Sequence, residues 1–120
     1  MASERRLLPG VRYAVDAYVQ FCRSEPWVIA MASSLTELFA PSLMSRRIAA
    51  FRRHYPWVKE KELGYFRGRL IQAPRDADFA LRVVLERCQS REMQSRAVAA
   101  LEFKCELLWA VLDAIHFAYV

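Results

Sequence analysis

The chain has 120 residues, of which 55% are hydrophobic and 26% charged, with only three Gly and five Pro, and its formal net charge is +5. That composition excludes disorder and low complexity and suits residues 1–120 as one domain, since a chain of this length buries roughly two-thirds of its surface. Cys22, Cys88 and Cys105 are too widely and unevenly spaced for a disulfide framework or a zinc knuckle.

No apolar run approaches the roughly 20 residues of a bilayer span, so no membrane contact is expected. The opening MASERRLLPG has no apolar stretch before a small-residue cleavage site, so the expectation is a cytoplasmic protein without a signal peptide.

Prolines divide the chain into helical segments. Pro9 opens the first, in which Val11, Ala14, Val15, Tyr18, Val19 and Cys22 recur at three- and four-residue steps and share one face. Pro26 suits the first turn of a second helix over 27–39, where its missing N–H is not needed. Pro41 begins a third with a stripe of Met44, Ile48, Phe51 and Tyr55, and Pro56 ends it.

A charged connector over 58–62 leads to a fourth helix over 63–72, which Pro74 is expected to break. Asp76 or Asp78 would then start a fifth, running to about Cys88. Ser90 is a plausible N-cap for the last and longest helix, with Glu92 placed for the helix dipole. Residues 93–119 hold no Gly or Pro, and Ala97, Leu101, Leu108, Leu112 and Ile115 run down one side. No strand alternation, phosphate-binding loop or internal repeat is visible. The expected fold is an all-α bundle of about six helices.

Charge is uneven along this bundle. Residues 42–75 carry nine Lys/Arg and two Asp/Glu, a local net of +7, whereas the remainder has nine basic and eleven acidic residues. Such a bias fits a solvated basic face or an anionic partner: nucleic acid, a membrane surface or a small polycarboxylate. The basic segment lacks a short turn between two compact helices with a polar recognition face, so nucleic acid is not expected.

Several residues do not fit a plain bundle. The helical neighbours of Lys104, at Ala100, Leu101, Leu107 and Leu108, are all apolar. A lysine there either snorkels out along its own stem or holds a cation inward for an anionic group, in which case burial lowers its pKa. Tyr65 and Arg69 are four apart, placing a phenol and a carboxylate-matching guanidinium on one face, or an arginine stacked on its own tyrosine. Glu37 is a lone carboxylate on a largely uncharged helix, where it either serves a site or accepts the hydroxyls of Ser33 and Ser34. Asp113 and His116 form a single D-x-x-H step, a weak metal motif where a di-iron bundle needs two plus further carboxylates. Spacing singles out no nucleophile with a catalytic partner.

Ordered blocks of the sequence resemble the pyrroloquinoline-quinone synthase family. They are Leu8-Pro9-Gly10-Val11-Arg12, Ala14-Val15-Asp16-Ala17-Tyr18, Ser33-Ser34-Leu35-Thr36-Glu37-Leu38-Phe39-Ala40-Pro41 and His54-Tyr55-Pro56-Trp57. Tyr65-Phe66-Arg67-Gly68-Arg69-Leu70, Gln72-Ala73-Pro74-Arg75-Asp76, Phe103-Lys104, Leu108-Trp109 and Leu112-Asp113-Ala114 continue them to the end. The resemblance runs from about Leu7 to Tyr119 and corresponds to the C-terminal half of a typical member.

It implies a haem-oxygenase-like helical fold that binds no haem, and a cofactor-free oxidase. Such an enzyme closes a ring in a bicyclic quinone precursor bearing several carboxylates and oxidises it with O2, releasing hydrogen peroxide and pyrroloquinoline quinone. Members are usually homodimers, so a homodimer, or pairing with an N-terminal half, is implied here. Carried across one position at a time, Tyr18, Glu37, Arg47 and Lys104 would bind substrate, and Tyr65 and Arg69 would stand where oxygen is reduced. Two departures stand out. Met44 occupies a position where the family has an active-site histidine, and neither His54 nor His116 matches the general base that the N-terminal half supplies. The alternatives are a non-enzymatic helical module binding an anionic ligand or a partner protein, and a metal-dependent bundle using Asp113 and His116.

Overall fold

The computed structural model describes residues 7–120, so the first six residues of the expected domain lie outside the described residues. Helix α1 (Pro9–Ser24) begins with its proline in the first turn, as the missing N–H there allows. Helix α2 (Trp27–Ser33) follows Pro26 and then tightens into a 3-10 segment, Ser34–Phe39, instead of continuing as α-helix to residue 39. The change falls at two consecutive serines. Their hydroxyls donate to the carbonyls of Ala30 (2.5 Å) and Met31 (2.6 Å), competing with the regular backbone ladder.

Helix α3 (Ala40–His54) carries Pro41 in its first turn and stops at Tyr55, ahead of Pro56. A second 3-10 segment, Glu60–Leu63, sits in the charged connector. Glu60 receives the Arg52 fork at 2.6 and 2.9 Å and Arg67 at 3.0 Å, and the Arg52 guanidinium holds its carboxyl below the usual carboxylate range. Helix α5 (Arg91–Tyr119) is capped as its sequence suggests: the Ser90 hydroxyl accepts from the Met93 N–H at 3.1 Å.

One expected boundary is absent. Helix α4 (Gly64–Arg87) runs unbroken through Pro74, so Asp76 and Asp78 lie inside it and start no new helix. Proline removes one ladder hydrogen bond, at the Leu70 carbonyl. What outweighs that loss is the buried stripe Ala73, Ala77, Ala80 and Val84, which continues in register across the proline. The described residues thus form five α-helices and two 3-10 segments, with no strand among them.

The apolar-run expectation also needs correction. Within the helical stretch Trp27–His54 an 18-residue window reaches a mean hydropathy of 1.3, long and apolar enough to cross a membrane by length and composition. Here part of it makes core, with Val28, Ile29, Ala32 and Leu35 buried, while Trp27, Leu38, Phe39 and Leu43 are exposed.

That core lies where α2, α4 and α5 meet, joining Val28, Ile29, Ala32, Val84, Cys88, Ala97 and Ala100, with Phe21, Met31 and Met93 packed against it. Helix α3 packs on α4, and α1 packs on α5. Much of the core is alanine, which lets helices approach closely but buries little area per residue. The approach of α1 to α5 is closer still at Gly10, where a Cβ would stand 2.8 Å from that of Ala114.

Large apolar side chains remain outside. The α5 stripe divides: Ala97 is buried and Leu101 half-buried, but Leu108, Leu112 and Ile115 are exposed, as are Val15 and Val19 of α1. The radius of gyration, 16.7 Å, exceeds the roughly 13.6 Å of a compact chain this long, as an open arrangement requires.

Candidate functional site

Side chains from five elements converge between the core and the open face. Tyr18 projects from α1, and its phenol oxygen lies 2.9 Å from the hydroxyl of Ser33 at the end of α2. The Lys104 ammonium, from α5, sits 3.3 Å from the centroid of the Tyr18 ring, a close cation–π contact. Glu37, in the 3-10 segment after α2, forms an ion pair with Arg69 of α4. On its other side Arg69 faces Asp76 at 3.7 Å. Lys104 and Tyr18 also border an apolar groove of about 130 Å³ between α1 and α5, walled by Ala14, Leu107 and Val111.

Burial sets the electrostatics. The Lys104 ammonium is pushed below its ordinary pKa chiefly because burial disfavours the charged form, while the nearby Cys22 and Glu37 act in the opposite sense. The Tyr18 phenol is pushed up, again chiefly by burial. Glu37 therefore stands between two cations, Arg69 by direct contact and Lys104 by field. The arrangement presents a partly desolvated ammonium on an aromatic platform and a guanidinium one side chain away. An anionic, planar guest could replace the water around both.

Lys104 is half-buried rather than enclosed, with its charge set over a ring. The Ser33 and Ser34 hydroxyls go to helix carbonyls and not to Glu37, which takes Arg69 instead. Tyr65 does not stack under Arg69. It is 69% exposed and meets Phe66 edge-on at 5.5 Å. Arg47 is exposed on α3, between the buried Met44 and Ile48, and no hydrogen bond or ion pair joins it to the cluster among the described residues.

Asp113 and His116 lie exposed near the end of α5, and no three His, Cys, Asp or Glu side chains gather at metal-binding separations among the described residues. Spacing alone missed two members, Ser33 as the partner of Tyr18 and Asp76 as the second carboxylate facing Arg69. Asp76 stands two turns beyond Arg69, a signal that reading Pro74 as a helix end conceals.

Comparison with known proteins bears on this cluster. A family model described as TENA/THI-4/PQQC matches residues 2–114. A curated protein of Granulibacter bethesdensis named pyrroloquinoline-quinone synthase is 51% identical over 118 residues, which are 98% of this chain and 46% of that protein. Its namesake in Gluconobacter oxydans is 54% identical over 114 residues, 95% of this chain and 48% of that protein. One in Pseudomonas aeruginosa is 51% identical over 117 residues, 98% of this chain and 47% of that protein. The chain spans about half the length of the curated relatives it matches. With an all-α fold and a match across nearly the whole sequence, the chain belongs to the TENA/THI-4/PQQC family.

Proposed function

We propose that this chain forms the cation-bearing half of a pyrroloquinoline-quinone synthase site, binding the carboxylates and ring oxygens of a bicyclic quinone precursor. The observation that carries this reading is the Lys104 ammonium held over Tyr18, with the Glu37–Arg69 pair beside it. Lys104 and Arg69 would hold substrate oxygens through charge-assisted hydrogen bonds, and Tyr18 would lie against the ring system. The guanidinium of Arg69 would also stabilise the negative charge that grows as O2 is reduced. Each two-electron oxidation of the ring system passes two electrons and two protons to O2, giving one hydrogen peroxide, and no resident cofactor enters the proposal. Tyr65 and Arg47 belong to the proposed site through the family resemblance rather than through contacts.

Turnover is proposed for an assembly in which the open α1–α5 face is covered, by a second copy or by further helices like those of the longer relatives. Exposed Val15, Val19, Leu108, Leu112 and Ile115 favour such a cover. The test is titration of the chain with pyrroloquinoline quinone, followed by incubation with the precursor under air in the presence and absence of an N-terminal half from a relative. Saturable binding by the chain alone, with peroxide and quinone formed only in the completed assembly, is the expected result. No binding at millimolar quinone would overturn the proposal. Binding without turnover in any assembly would favour a non-enzymatic module.

A further inference from the structure

Ser33 is fully buried, 0% exposed, and it lies at the point where α2 passes into the 3-10 segment. Its Oγ is 2.5 Å from the Ala30 carbonyl oxygen and 2.9 Å from the Tyr18 Oη. A serine hydroxyl has one hydrogen, and a carbonyl can only accept. The Ser33 hydrogen is therefore committed to Ala30, and the Tyr18 phenol must donate to Ser33. The order is Tyr18 O–H to Ser33 O–H to Ala30 C=O.

The Ser34 N–H, which would take this carbonyl in a regular α-helix, turns to the Ala32 and Met31 carbonyls instead. Two consequences follow for the site. The Tyr18 proton points toward the protein, leaving a π face and oxygen lone pairs for the site rather than a donor. The ring is also held at its oxygen end. Phe21 lies nearly parallel to it at 6.4 Å, a contact that permits sliding, whereas the hydrogen bond fixes tilt and position.

We propose that Ser33 is a positioning residue, which through this ordered pair of hydrogen bonds holds the Tyr18 ring beneath the Lys104 ammonium. The proposal rests on the reading of Tyr18 and Lys104 as the ligand-binding site, but its test needs no ligand. The chain has three lysines, Lys59, Lys61 and Lys104. In the full chain carrying 13C-labelled lysine, the Lys104 ε-protons are expected upfield of the other two, because they lie over an aromatic face.

Ser33→Ala should remove most of that displacement at unchanged helical content. Tyr18→Phe keeps the ring, deletes only the hydroxyl and should do the same, and the double variant should add nothing further. If Ser33→Ala does not fold, Tyr18→Phe decides alone. Retention of the wild-type Lys104 shift in the folded variants would overturn the proposal. A wild-type chain that fails to bind the quinone would count against the proposed function and leave this measurement standing.

Discussion

Replacing Lys104 with alanine is expected to weaken binding of pyrroloquinoline quinone about tenfold to a hundredfold. A hydrogen bond to a charged partner contributes roughly 1.5–3 kcal/mol, and about 1.4 kcal/mol corresponds to each factor of ten. The same substitution should change the pH dependence. The ammonium is the form that attracts a carboxylate, and burial places its pKa below the ordinary lysine value. Wild-type affinity is therefore steady at low pH and falls as pH rises through that lowered pKa. The alanine variant should lack this step. Isothermal titration at several pH values checks both points, and equal affinity in the two proteins would remove Lys104 from the site.

The second large effect concerns stability. Ile29 is 1% exposed and is among the largest fully buried side chains, at the centre of the α2–α4–α5 core. Ile29→Ala should lose about 2–5 kcal/mol, the range for deleting a buried isoleucine side chain and leaving part of the space unfilled. Against a typical total of 5–15 kcal/mol, that is a large share for a core in which half of the buried apolar residues are alanine. Trp109, 70% exposed on α5, supplies the contrast, since Trp109→Ala should shift stability by less than about 0.5 kcal/mol in the isolated chain. Urea unfolding of the two variants measures the difference. A loss under 1 kcal/mol for Ile29→Ala would mean that the core lies elsewhere.

Helix starts were legible where a single local cause sets them, as with Pro9 in a first turn and Ser90 capping α5. Pro74 was misleading because the local penalty of a proline competes with a buried stripe that is recognised only once α4 is seen packing against its neighbours. The inward tendency of Lys104 could be read from its apolar neighbours. Its seat on Tyr18 could not, since the two residues are brought together by the packing of α1 against α5. The Glu37–Arg69 pair likewise spans 32 positions, beyond the reach of any helical spacing rule. Arg47 is the reverse case. The family resemblance points to it, while no hydrogen bond or ion pair among the described residues joins its exposed side chain to the cluster.

The most direct test is an NMR titration of Lys104 in the presence and absence of saturating pyrroloquinoline quinone, with its resonance assigned by loss in Lys104→Ala. The account predicts a midpoint below that of an ordinary lysine in the free chain, moving upward once a bound carboxylate stabilises the ammonium. A midpoint that stays the same with the quinone bound would contradict it.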